Sequence, residues 1–94
     1  LNVCAPAERA AAPCPVLVFI HGGGYFEGTS ALPVHDPKPL VRKFGVVVVG
    51  INYRLGGLGF VDFSQYSTEF ESNLGLRDQV AALKWVSRNI AAFG

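Results

Sequence analysis

Three consecutive glycines, Gly22-Gly23-Gly24, follow His21 directly after the apolar run Val16 to Ile20. Glycine leaves the backbone bare, because no Cβ shields the amide and positive φ is open to it. In an open α/β sheet, ligands collect just beyond the carboxyl ends of the strands. Bare N–H groups placed there can hold the negative oxygen that develops during acyl transfer. A plain tight turn would use the same glycines, so that reading stands beside the chemical one. Phosphate binding fits poorly: G-x-G-x-x-G needs a glycine at position 27, which is Glu27, and no Gly-Lys-Ser/Thr occurs.

Acyl transfer also needs a nucleophile, and a serine on a G-x-S-x-G elbow is the usual one. The nearest match, Gly28-Thr29-Ser30-Ala31-Leu32, lacks the second glycine and follows no strand; Ser64 and Ser87 fit no better. The nucleophile is therefore expected outside these residues. His21 adjoins the glycines and could be offered as a general base. On such a sheet, however, the triad runs Ser, then acid, then His along the chain, so His21 reads as a structural residue and His35 as a loop residue. Arg77 and Asp78 read as ion-pair partners, and Asp36 and Asp62 have no metal-like spacing around them.

The elements that must position the glycines follow from the apolar pattern. Leu1 to Ala5 alternates as a short strand ended by Pro6, and Ala7 to Pro15, with Glu8 and Arg9, reads as an exposed connection. Val16 to Ile20 is continuously apolar, as in a central parallel strand covered on both faces. Thr29 to Pro39, with three prolines, is a long loop, and Leu40 to Phe44 makes about one helical turn closed by Gly45. Val46 to Tyr53 is a second buried strand; Arg54 to Phe60 turns away on three glycines, and Val61 to Ser72 is irregular. The spacing of Leu76, Val80, Leu83, Val86, Ile90 and Phe93 predicts a helix from about Asn73 to Phe93 with one stripe facing the sheet. Asn73 is the expected N-cap and Gly94 the expected C′ residue. Strand, strand, helix in this order is α/β.

Of the 94 residues, 50% are hydrophobic and only 16% charged, a rich core for so short a chain. It suggests part of something larger whose apolar faces expect neighbours, and the absence of Met points the same way. A net charge of +1 gives no electrostatic case for nucleic acid, and no apolar run is long enough to span a membrane. Cys4 and Cys14 lack zinc spacing and read as two unpaired thiols, with a bridge between neighbouring strands as the alternative if their Cα atoms came within about 7 Å.

Four stretches in register resemble the type-B carboxylesterase and cholinesterase family of α/β-hydrolases: Leu1-Asn-Val-Cys-Ala-Pro6, Val18-Phe-Ile-His-Gly-Gly-Gly24, Val48 to Phe60, and Asn73-Leu-Gly-Leu-Arg-Asp-Gln79 through Trp85 to Gly94. The resemblance, closest to insect carboxylesterases, spans nearly the whole chain. It implies a mostly parallel central sheet flanked by helices, with residues 1–94 a part of that domain ending before the nucleophile elbow. It implies serine-dependent hydrolysis of a small carboxylic ester without cofactor or metal, in a secreted or extracellular setting. Gly23 and Gly24 would give backbone N–H groups to the oxyanion, and Tyr25 and Phe26 would line the substrate gorge. Past that aromatic pair, Gly28→Ala should cost far less activity than Gly24→Ala. A neuroligin-like adhesion protein shares the pattern without a working triad, but typically carries Ser at the third glycine, where Gly24 stands. Cys4, Gly50 and Glu71-Ser72 depart from the family's usual residues.

Overall fold

A computed structural model describes residues 1–8 and 11–94. Three strands, β1 (Asn2–Cys4), β2 (Val16–Ile20) and β3 (Val47–Ile51), form one sheet in the order β1-β3-β2. β3 runs antiparallel to β1, with Val3 opposite Val49, and parallel to β2, with Val18 opposite Val49.

The centre is β3, not β2. Val47, Val48, Val49 and Ile51 are all buried, whereas Val16, Leu17 and Ile20 of β2 stay about 40% exposed. Both runs are continuously apolar, so their sequences alone do not distinguish the middle strand from the flanking one. β2 is bonded on one side only, and the expectation that it is covered on both faces is not met among the described residues.

The connection from β2 to β3 carries a 3-10 turn at Pro33–His35 and helix α1 (Lys38–Phe44). α1 starts earlier than expected because Pro39 sits in its first turn, where the missing N–H costs nothing. It ends at Gly45, in the left-handed conformation (φ 63°), with its N–H donating to Val41 O. The segment expected as a plain turn holds a short helix, α2 (Gly56–Phe60). The long helix α3 (Leu74–Asn89) follows, extended by a 3-10 turn at Ile90–Ala92. Asn73 stands at the N-cap position but is itself left-handed (φ 54°), and its side chain makes no cap hydrogen bond.

α3 packs on one face of the sheet. Val86 joins Val47, Val49 and Ile51 in the core, with Ala82, Trp85 and Ile90 against it. Full burial of side chains such as Val47, Val49 and Ile51 is worth about 1.5–3 kcal/mol each. The predicted stripe is correct at Val86 and Ile90 only: Leu76, Val80, Leu83 and Phe93 are each more than 40% exposed. The face that packs is set instead by the smaller Gly75 and Ala82 and the half-buried Trp85.

Gly50 makes room for the loop, since a Cβ there would come within 2.9 Å of Ser30 Cβ. Cys4 and Cys14 are both free thiols. The connection expected over Ala7 to Pro15 has exposed residues at both ends; Arg9 and Ala10 lie outside the described residues.

Candidate functional site

At the carboxyl end of β2 the chain leaves the sheet and turns back on itself. The N–H groups of Phe26 and Glu27 both donate to Gly23 O, at 3.1 and 3.2 Å. Inside this turn Gly24 (φ 61°) and Tyr25 (φ 67°) are both left-handed, as in the central pair of a type I′ turn. Glycine takes this conformation freely. For tyrosine it costs about 1–2 kcal/mol, and the structure shows what holds it there. Tyr25 O accepts the Gly56 N–H at 2.7 Å. The Tyr25 ring packs on Phe60 with centroids 4.7 Å apart and turns an edge toward Tyr53. Both Gly56 and Phe60 belong to α2, so that short helix braces the glycine turn.

The turn also decides where two amides point. In a trans peptide the C=O of one residue and the N–H of the next face opposite ways, and the described residues include no cis bond. Gly23 O is pinned inward by Phe26 and Glu27, so Gly24 N–H faces outward. Gly22 O is pinned by the imidazole of His21, at 2.8 Å from Nδ1, so Gly23 N–H faces away from that ring. Neither amide donates to any acceptor among the described residues. Gly22 through Gly28 are all exposed, and His21 beneath them is buried.

Two residues just after β3 staple the base of the loop, and a third ties the strand end to α3. Asn52 Oδ1 accepts the Ser30 N–H at 2.8 Å and, at 3.4 Å, the Thr29 hydroxyl. Tyr53, buried, donates its hydroxyl to His21 O at 2.9 Å and stacks its ring on the imidazole at 4.7 Å. Arg54 reaches the other way, to Asp78 on α3, through Nε (2.7 Å), a terminal guanidinium nitrogen (2.6 Å) and its backbone N–H (3.0 Å). Hydrogen bonding from the Arg54 side chain holds the Asp78 carboxyl below the usual aspartate range, against the opposing effect of burial. Arg77 pairs with Glu71 at 2.9 Å. Arg77 and Asp78 are therefore ion-pair residues, as their positions suggest.

All four residues singled out from the sequence, Gly23, Gly24, Tyr25 and Phe26, share this one turn. Phe26 is 83% exposed and free to meet a ligand, while Tyr25 is half committed to Phe60 and Tyr53. His35 is a loop residue: its ring packs on Phe19 and its Nδ1 donates to Thr29 O at 3.0 Å. Sequence reasoning missed the roles of Asn52, Tyr53 and Gly56. A signal was present in the polar triplet Asn52-Tyr53-Arg54 that closes a strand otherwise apolar throughout.

A cavity of about 520 Å³ opens on the sheet face away from α3, between Leu17, Phe19, Val48 and Gly50 and the loop at Leu32 to Pro37. None of the four turn residues lines it. Among the described residues no three His, Cys, Asp or Glu side chains gather as metal ligands. No helix there is long and apolar enough to cross a membrane.

The chain is similar over its whole length to known proteins. The chain is 46% identical to a para-nitrobenzyl esterase of Bacillus subtilis (strain 168) and 50% identical to a cholinesterase of Mus musculus. Each match covers the whole chain, which spans 19% and 15% of the two proteins' lengths. The solved structures of a thermophilic PNB esterase and of a PNB esterase each superpose with a TM-score of 0.91 at 46% identity. Each covers 98% of the chain and about a fifth of the solved protein, which makes this small sheet and its helices a part of the α/β-hydrolase fold. The family model described as "Carboxylesterase family" matches residues 1–94. By that end-to-end match, the chain belongs to the carboxylesterase family.

Proposed function

We propose that the protein carrying this chain is a carboxylic-ester hydrolase acting on small esters, and that this chain supplies its oxyanion loop. The observation that carries the reading is the pair of outward amides, Gly23 N–H and Gly24 N–H, on an exposed turn whose carbonyls are pinned inward. Such donors act best when they are fixed before the reaction and need no reorganisation during it.

The 94 residues hold no Gly-x-Ser-x-Gly, so the serine, its acid and its histidine come from other parts of the protein. The serine attacks the ester carbonyl while the histidine takes its proton. The carbonyl oxygen gains negative charge as the carbon becomes tetrahedral, and the two glycine amides receive it. Loss of one such donor typically costs about 3–4 kcal/mol of barrier lowering. The alcohol leaves with the proton, and water then releases the acid from the acyl-enzyme. Phe26, exposed at the tip, and the outer edge of Tyr25 contact the substrate. The names of the relatives, an esterase and a cholinesterase, support the same reaction class.

The test is turnover of a p-nitrophenyl ester by the full-length protein. The reading predicts p-nitrophenolate release that an organophosphate abolishes, while residues 1–94 alone match a scrambled control. A full-length protein that folds and hydrolyses no ester would refute it.

A further inference from the structure

His21 is only 2% exposed, yet it is one of the two histidines in a chain with few polar residues in its core. Its ring is held on three sides. One face stacks on Tyr53, at 4.7 Å between centroids and 13° between planes. Gly28 lies against the edge formed by Nδ1 and Cε1, where a Cβ would come within 2.9 Å of Cε1. Nδ1 itself sits 2.8 Å from Gly22 O. A carbonyl oxygen can only accept, so the contact is a hydrogen bond only if the proton is on Nδ1. Nε2 is then a bare lone pair, and it is buried without a donor among the described residues.

From this geometry we infer that His21 is a positioning residue that aims the Gly23 amide through a proton held on Nδ1. The inference rests on the oxyanion reading of the loop and adds the device that orients it. The chain of cause is short. Nδ1–H fixes the direction of Gly22 O. The trans peptide plane transmits that direction to Gly23 N–H, which must face the opposite way. Tyr53 fixes the other end by donating to His21 O, so the peptide planes before and after Gly22 are both held. Gly28 completes the clasp, because only a residue without a side chain leaves the imidazole in this place. Without the Nδ1 bond, Gly22 has no side chain to stop its peptide plane from swinging, and the Gly23 donor swings with it. His21 touches no reacting atom in this account.

Asparagine and leucine separate this role from simple packing. They have nearly the same shape and both lose the stack on Tyr53, but only asparagine can donate from the Nδ1 position. In the full-length protein, His21→Leu should show kcat about 100-fold below that of His21→Asn, the scale of a displaced catalytic group. KM should be alike in the two. Independently of activity, nitrogen NMR of 15N-histidine-labelled wild-type protein should show the His21 ring protonated on Nδ1, its signal assigned in the wild type by proximity to the stacked Tyr53 ring. Equal kcat in the two variants, or a proton on Nε2, would overturn the inference. If the variants do not fold, or if the wild type hydrolyses no ester and the proposed function fails, the wild-type ring spectrum decides alone.

Discussion

Gly28 lies against the imidazole of His21 so closely that a Cβ at position 28 would enter the space of the Gly22 carbonyl oxygen and of the ring itself. Its φ of 123° is also one that side chains rarely adopt. Gly24, by contrast, has φ 61° and nothing nearer to a Cβ than Phe26, at 4.0 Å. The expectation that Gly28→Ala costs far less activity than Gly24→Ala therefore does not extend to folding, where the order is the opposite. Gly28→Ala should destabilise by about 3 kcal/mol or more, and Gly24→Ala by about 1–2 kcal/mol. Denaturant midpoints of the two variants in the full-length protein check the order.

The Tyr53 hydroxyl is a buried donor with one partner, the backbone of His21. Tyr53→Phe keeps the ring on the imidazole and leaves His21 O without that donor, a loss of about 1–3 kcal/mol. A melting temperature lowered with the fold intact, together with reduced kcat, is the expected pair of readings. Unchanged stability would show that this staple is not needed.

Phe26 is 83% exposed. Phe26→Ala should leave stability within about 0.5 kcal/mol, as for other surface changes. It should also raise KM for bulky esters more than for acetates. KM measured across an acyl series, beside one thermal melt, tests both halves.

Asp78 titrates below the usual aspartate range in the folded chain because Arg54 hydrogen-bonds its carboxylate. A depressed folded pKa gives stability that is fully present above the unfolded value, about pH 4. That stability is lost as pH falls through the folded one. Asp78→Asn should therefore lower the melting temperature at neutral pH, and the gap to wild type should close as pH falls from neutral to well below about 4. A gap that stays constant across that range would show that the ion pair is not its source. Arg54 is half exposed, so the effect at neutral pH should be modest.

Much of the site was legible because glycine and apolar runs are strong local signals. Val16 to Ile20 and Val46 to Tyr53 read as strands, Gly45 as a helix end, and Gly22 to Gly24 as a loop at a strand end. What the sequence concealed depends on contacts distant along the chain. That β3, not β2, lies in the middle is settled by pairing on both sides, and both strands are equally apolar. The left-handed Tyr25 has no local signature, since tyrosine disfavours that conformation; it exists because Gly56 and Phe60, more than thirty residues on, hold it. α2 itself was hidden by glycines that argue against a helix. The stripe on α3 was misplaced because Leu76, Val80 and Leu83 are as apolar as the residues that pack, and periodicity cannot choose between two apolar faces.

The central claim is that Gly23 and Gly24 present their amides to a reacting oxygen. The most direct measurement is a crystal structure of the full-length protein with a phosphonate bound to its nucleophile, an analogue whose oxygen stands where the oxyanion forms. The account predicts that oxygen within about 2.7–3.1 Å of both the Gly23 and the Gly24 backbone nitrogens. A phosphonyl oxygen bound by other donors, with both glycine nitrogens beyond about 3.5 Å, would contradict it.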